Sequence, residues 1–136
     1  LAYPDFNKEF LLTPDASNYA IGAVLSQNGH PICFASRTLN GAEVKYPTLE
    51  NELLAIVWAT KYLRPYLYGN KFTIQTDHQP LQWLHNLKDP NNRVLRWKIR
   101  LSEYDYKTVA FSRLQRSQLI FSPINFILER ETKKVL

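Results

Sequence analysis

The sequence has few of the features that mark secreted or membrane proteins. Its single cysteine, Cys33, excludes an internal disulfide. Because Cys33 lies in the apolar run PICFA, we interpret it as a packed thiol in a protein from a reducing compartment. The chain has no apolar run long enough to span a bilayer and no leader with a basic start and an apolar centre. We therefore expect a soluble, intracellular protein, or a piece of a larger soluble one, without a membrane partner.

Histidine is also scarce, which bears on metal sites. The three histidines have no metal-ligand spacing among themselves and no cysteine partner, so the sequence does not predict a structural zinc site. The chain has 136 residues, of which 45% are hydrophobic, and this suits one compact domain with a core.

The positive charge is confined to one stretch of the chain. The formal net charge is +5, and residues 88–116 alone carry an excess of +5, whereas residues 1–87 sum to −1 and residues 117–136 to +1. A local basic excess suggests a polyanionic partner, although a solvated charged face is the commoner cause of such a run.

Apolar patterning and turn signals predict an α/β sheet. Residues 1–9 form a connector into the first strand, and short turns join the first three strands, which is typical of an antiparallel meander. If the long helix crosses over the sheet, the strand after it should run parallel to the first. In chain order the predicted elements are strands over 10–13, 20–27 and 30–39, a helix over 46–69, a strand over 71–77, helices over 79–87 and 92–104, a strand over 106–111 and a helix over 123–135.

The long helix carries an acidic residue beside its apolar face. At about 100° per residue, Glu52 projects into the edge of the apolar arc, whereas Glu50 and Asn51 fall well outside it and are expected to lie in water. A half-buried carboxylate costs free energy unless it is paired or binds a cation. On this helix alone, a glutamate that extends out of the arc into solvent is an equally good interpretation.

Two further acidic residues follow apolar strands. Asp15 comes at the end of the first predicted strand and Asp77 at the end of the fourth. Taken singly, such residues are more often turn formers or helix caps. If the two strands are parallel neighbours, however, both carboxylates emerge at the same edge of the sheet, and Glu52 on the crossover helix reaches the same place. The order of the three acids therefore predicts that they converge.

Three converging carboxylates indicate a metal-dependent site. Unpaired, they repel and raise one another's pKa, but Mg²⁺ accepts carboxylate oxygens. Two such ions about 4 Å apart can stabilise both the attacking and the leaving oxygen of an in-line phosphoryl displacement. We predict nuclease chemistry in which Asp15 binds both ions and Glu52 and Asp77 each complete one, with Mn²⁺ able to substitute.

Several sequence blocks in fixed order resemble one known family. Over roughly residues 1–111 the chain resembles the ribonuclease H domain of the reverse transcriptase polyprotein of gypsy-type LTR retrotransposons. The blocks are LAYPDF, DASNYAIGAVLSQ, HPICFASRTL, ENELLAIVWA, RPYLYG, FTIQTDHQPLQWL and NRVLRWKIRLSEYDY.

The resemblance implies a fold, an activity and site residues. The implied fold is a five-stranded mixed sheet flanked by helices, with strands 1–3 antiparallel and strands 4 and 5 parallel to strand 1. The implied activity is metal-dependent cleavage of the RNA strand of an RNA:DNA hybrid during reverse transcription, with a polymerase domain on the N-terminal side. The first three catalytic acids of the family match Asp15 in DAS, Glu52 in ELLAIV and Asp77 in TDH.

The chain departs from the family at two places. Pro14 stands where the family usually has threonine, and because proline lacks a backbone donor we expect a defect in the strand ladder beside Asp15. The family's final acid is missing, since no acidic residue occurs between Asp105 and Glu129. Glu129 or Glu131 could replace it, although solvated charges are the commoner interpretation. The atypical tail, residues 112–136, leaves a catalytically silent hybrid-binding or spacer module as the alternative.

Basic residues on the helix over 92–104 are candidates for binding the hybrid. Arg93, Arg96 and Arg100 form one stripe, and with Lys98 they could contact phosphates without reading sequence. Trp97 could be a stacking platform, but aromatic residues at helical spacing are more often core, and we interpret Trp97 as core.

Overall fold

The computed structural model describes residues 2–110 and places five strands and four α-helices in them. The predicted helix over 123–135 and the rest of the tail lie outside the described residues. The strands are β1 (Phe10–Ala16), β2 (Ala20–Gln27), β3 (His30–Thr38), β4 (Lys71–Gln75) and β5 (Asp105–Val109). The helices are α1 (Thr48–Tyr62), α2 (Arg64–Leu67), α3 (His78–Asn86) and α4 (Asn92–Leu101), and a 3₁₀ turn (Glu43–Lys45) precedes α1.

The strands form one mixed sheet in the order β3-β2-β1-β4-β5. The pairs β1–β2 and β2–β3 are antiparallel, whereas β1–β4 and β4–β5 are parallel. This confirms the predicted fold class, including the parallel return of the chain after the crossover helix. Within the described residues no helix has the length and apolar character needed to cross a membrane.

The core lies between the sheet and α1, with α3 and α4 packed on the helix layer. Phe10 and Leu12 of β1 are fully buried, as are Leu53 and Ile56 of α1. Burial of such side chains contributes about 1.5–3 kcal/mol each, so this layer accounts for much of the stability of the fold. Trp97 of α4 is 6% exposed and belongs to the same core, as its helical spacing predicted.

The helix predicted over 46–69 is divided into two. α1 ends at Tyr62, and the short α2 begins at Arg64 with Pro65 in its first turn. Proline lacks an amide hydrogen, and its ring clashes with the carbonyl oxygen four residues earlier, so the helix cannot continue through Pro65. The division leaves Glu52 in the first half of α1.

The prediction that Glu50 lies in water is wrong. Glu50 is only 8% exposed, and its Oε2 accepts a hydrogen bond of 2.9 Å from Nη2 of Arg93. The guanidinium carbon of Arg93 lies 4.0 Å from the ring centre of Tyr46. Because α4 packs against α1, part of the helix surface outside the apolar arc is covered, and the ion pair compensates the buried charge.

The ladder defect expected at Pro14 does not occur on the β2 side. The register of β1 with β2 runs without a break from Leu11 through Pro14 to Ala16. Ser17 N donates to Ala20 O at 2.8 Å, so these two residues form a hydrogen-bonded pair. Hydrogen-bonded and non-hydrogen-bonded pairs alternate along an antiparallel ladder, so Pro14 and Ala23, three positions away, form a pair that needs no backbone hydrogen bond. The nitrogen of Pro14 therefore faces away from β2, and the pairing of β1 with β4 ends earlier, at Leu12.

Candidate active site

The three predicted acidic residues lie on three different elements around one end of the sheet. Asp15 lies within β1 opposite Gly22 of β2, and Glu52 lies in the first half of α1. Asp77 comes two residues after the end of β4 and is the N-cap of α3. Because β1 and β4 are parallel neighbours, the ends that carry Asp15 and Asp77 point the same way.

The charges of Asp15 and Asp77 both act on Glu52. Burial raises the pKa of Glu52 above its ordinary value, and the negative charges of Asp77 and Asp15 raise it further. Burial also raises the pKa of Asp15, while a hydrogen bond from the backbone N–H of Ala16 opposes this change. Glu52 and Asp15 are half-buried, whereas Asp77 is exposed.

No cation in the described part of the chain neutralises these three charges. The ion pairs within residues 2–110 join other carboxylates to lysine or arginine, as with Glu43 and Arg37 or Glu50 and Arg93. Uncompensated carboxylates in partial burial are unfavourable unless a bound cation offsets their repulsion. Their hard oxygen donors suit Mg²⁺ or Mn²⁺, so the residues fit a divalent ion in charge and in ligand type.

The carboxylates do not form a closed ligand set, however. Among the described side chains of residues 2–110, which do not include that of His78, no group of three or more histidine, cysteine or acidic residues is arranged to hold a metal ion. Two of the acids are engaged locally: Asp15 Oδ1 accepts from Ala16 N at 2.9 Å, and Asp77 Oδ1 accepts from Gln79 N at 3.3 Å. Convergence on a shared ion therefore stays a prediction, as do the individual metal-binding roles.

The basic residues of α4 differ in how they are engaged. Arg93, Arg96 and Arg100 line a cavity of about 310 Å³ between α4 and the chain around Tyr46. Arg93 is held by Glu50 and stacks on Tyr46, whereas Arg96 and Arg100 are exposed. Lys98 is half-exposed. Arg96 and Arg100 are thus the arginines of this stripe that present their charge to solvent.

Sequence patterns missed a hydrogen bond beside the site. Asn51, which was expected in water, is half-buried, and its Nδ2 donates to Ser17 O at 2.8 Å. Helical periodicity cannot find such a contact, because the acceptor is a backbone carbonyl in a turn 34 residues earlier in the chain.

The chain matches a known protein family over most of its length. Residues 5–104 match the model of the RNase H-like domain found in reverse transcriptase. The chain is 64% identical over 107 residues to the retrovirus-related Pol polyprotein from transposon 297 of Drosophila melanogaster, covering 79% of this chain and 10% of the relative. It is 50% identical over 108 residues to the corresponding polyprotein from transposon gypsy of the same species, with coverage of 79% and 10%. The chain thus spans about a tenth of the length of these curated relatives.

Solved structures show the same fold at low sequence identity. A foamy viral protease-reverse transcriptase in complex with an RNA/DNA hybrid aligns with a TM-score of 0.67 at 20% identity, covering 83% of this chain and 16% of that chain. RNase H1 from the halophilic archaeon Halobacterium salinarum NRC-1 aligns with a TM-score of 0.58 at 18% identity, covering 78% and 87%. At these identities the likeness shows the fold alone.

The raised pKa values predict an unusual pH dependence in the metal-free protein. Since folding raises the pKa of Glu52 and Asp15, the folded state binds protons more tightly than the unfolded state, in which carboxyl groups ionise near pH 4. This contribution to the free energy of unfolding should fall as pH rises from about 4 through the raised pKa values. Glu52→Gln should remove part of this fall and stabilise the metal-free protein at pH 7 by roughly 1 kcal/mol.

Urea unfolding in EDTA between pH 4 and pH 8 measures this effect. The control is Glu103→Gln, which removes an exposed carboxylate paired with Arg64 and should change stability by no more than about 0.5 kcal/mol. A Glu52→Gln protein less stable than the parent at pH 7 would contradict the proposed repulsion.

Proposed function

Because the chain belongs to the family of RNase H-like domains found in reverse transcriptase, we propose that it hydrolyses the RNA strand of RNA:DNA hybrids as one domain of a retrotransposon Pol polyprotein. The observation that carries the proposal is the placement of three carboxylates around one end of the sheet, with Asp15 in β1, Glu52 in α1 and Asp77 at the N-cap of α3. In the parent polyprotein, a polymerase domain precedes this domain, and reverse transcription takes place inside the cell, in the cytoplasm.

The proposed site holds two divalent ions through the three carboxylates. RNase H-like domains in general use divalent metal ions, and Mg²⁺, replaceable by Mn²⁺, is the ion we propose here. When bound, such ions stabilise negative charge on a phosphate and lower the pKa of an attacking water. Asp15 would bind both ions, and Glu52 and Asp77 would each complete the binding of one of them.

Local structure suits the three residues to these roles. The half-burial of Asp15 and Glu52 limits competition from solvent, and the positions of both side chains are set by secondary structure rather than by a loop. Asp77 is more exposed, and it is fixed at the N-cap of α3, where its Oδ1 accepts from Gln79 N. Exposure on this side leaves room for a phosphate backbone to approach the acids.

The proposed substrate is recognised through its phosphates and its shape. The foamy viral protease-reverse transcriptase, which shares the fold, was solved with an RNA/DNA hybrid, and this supports the same class of partner. Arg96, Lys98 and Arg100 would contact phosphates, which sets the register of the duplex without reading sequence. Arg93 would contribute less, because Glu50 already neutralises its charge.

A second candidate function follows from the missing fourth acid. No acidic residue occurs between Asp105 and Glu129, so a domain that keeps the fold but binds the hybrid without cleaving it is the alternative. Such a module would still bind nucleic acid through α4, so the two functions differ in whether the RNA strand is cleaved.

The cleavage experiment uses a labelled RNA:DNA hybrid with the 136-residue chain in Mg²⁺ and in Mn²⁺. Asp77→Asn should lower the cleavage rate by roughly 100-fold or more, since even the outer partners of metal ligands typically cost 10–100-fold in affinity or activity. Asparagine is also a good N-cap, so α3 should stay folded.

Asp89→Asn is the matched control, because Asp89 is exposed in the connection between α3 and α4. The Asp89→Asn protein should cleave the hybrid at the same rate as the parent protein. Cleavage unaffected by Asp77→Asn would overturn the proposed site, whereas binding without cleavage in either metal would favour the silent module.

The salt dependence of hybrid affinity tests the basic residues of α4. On the non-cleaving Asp77→Asn background, affinity should fall steeply as salt rises, because phosphate contacts release counterions. Arg96→Gln and Arg100→Gln should each reduce the slope of log affinity against log salt by about 1. Lys71→Gln, an exposed change at the other end of β4 from Asp77, should leave the slope unchanged. A flat salt dependence of the background protein would refute the proposed contacts.

A further inference from the structure

A single side chain connects two of the elements that carry the acidic residues. Asn51 precedes Glu52 in α1, and its Nδ2 donates to Ser17 O at 2.8 Å. Ser17 comes two residues after Asp15, in the turn between β1 and β2. This hydrogen bond therefore links the part of α1 that carries Glu52 to the end of β1 that carries Asp15.

Both ends of this link are held rigidly. In the turn, Ser17 N donates to Ala20 O at 2.8 Å and Ala20 N donates to Ser17 Oγ at 3.1 Å, which fixes the direction of the Ser17 carbonyl. On the other side, the ion pair of Glu50 with Arg93 fastens the beginning of α1 to α4. Movement at either anchor is thus restricted, and the link holds the first part of α1 close to the chain after Asp15.

The stability of the fold does not account for an asparagine at this position. The Oδ1 of Asn51 is buried, and within residues 2–110 it accepts no hydrogen bond. A buried polar atom without a partner costs about 1–3 kcal/mol, which offsets the gain from the Nδ2 hydrogen bond. An apolar side chain of the same size would avoid this cost, so a role in the geometry of the site explains the residue better than a role in stability.

We propose that Asn51 is a positioning residue that holds Glu52 at a fixed separation from Asp15 and thereby sets the affinity of the acid site for divalent ions. The inference rests on the proposed function, in which these carboxylates bind such ions. Like charges push Glu52 and Asp15 apart, and the Asn51 hydrogen bond opposes that force directly between α1 and the chain after Asp15, where the ion pair of Glu50 with Arg93 holds α1 only to α4. A metal site that has to be reassembled against repulsion binds its ion more weakly.

Mn²⁺ titration of the full 136-residue chain by calorimetry tests the proposal. In Asn51→Leu, which removes the donor and the buried acceptor together, Mn²⁺ affinity should fall by about 10–100-fold. The thermal midpoint of the metal-free protein should change little, because the loss of the unpartnered Oδ1 offsets the loss of the hydrogen bond to Ser17 O. Asn51→Ala serves as the second variant if the leucine disturbs packing, and it should show the same loss of affinity.

Asn70→Leu is the matched control for these variants. The Nδ2 of Asn70 also donates to a backbone carbonyl, that of Tyr66, at 2.9 Å, and Asn70 is also half-buried, but it lies between α2 and β4, away from the acids. This change should leave Mn²⁺ affinity unaltered.

The outcomes separate the positioning role from the proposed function. Parent-like Mn²⁺ affinity in Asn51→Leu and Asn51→Ala overturns the positioning role alone. A loss of affinity that Asn70→Leu reproduces, or that merely follows a loss of thermal stability, overturns it as well. If the parent chain binds no Mn²⁺, the proposed function fails and the positioning role fails with it.

Discussion

The parallel pairing of β1 with β4 determines the end of the sheet at which Asp15 and Asp77 lie. Phe10 pairs with Phe72 and Leu12 with Ile74, so the two strands enter the core together and leave it at the same end. That register places Asp15 and Asp77 at the same end of the sheet, and α1, which crosses over between the two strands, carries Glu52. Burial raises the pKa of Glu52, and the negative charges of Asp77 and Asp15 raise it further.

The rest of the structure holds the carboxylates in place against that repulsion. The core layer of α1 on the sheet resists displacement of the helix, the ion pair of Glu50 with Arg93 ties its first turn to α4, and Asn51 ties the same turn to the chain after Asp15. Functional sites commonly carry such unfavourable interactions, which the surrounding fold compensates. In this domain the compensation is concentrated in residues 50 and 51, directly before Glu52.

The sequence was sufficient for the architecture and the family, because both depend on long patterns. The antiparallel first three strands, the parallel return after the helix and the burial of Trp97 follow from periodicity and connection rules, whereas the parallel fifth strand follows from the family resemblance. The resemblance to gypsy-type reverse transcriptase ribonuclease H domains is confirmed by the family match and by the Drosophila relatives. The break at Pro65 could have been read from the rule that proline ends a helix. The burial of Glu50 could not be predicted from the sequence, because it depends on α4 covering a second side of α1. The hydrogen bond of Asn51 could not be predicted either, because its acceptor is a backbone carbonyl, which has no sequence signal.

The most direct test of the central claim is a crystal structure of the full chain grown with Mn²⁺, with anomalous difference maps recorded at the manganese edge. We expect anomalous peaks between Asp15, Glu52 and Asp77, about 2.1 Å from their carboxylate oxygens, and the Asp15 carboxylate turned away from the backbone of Ala16. Full Mn²⁺ occupancy elsewhere in the crystal, with no peak among these three residues and their side chains still directed to their local backbone partners, would contradict the account.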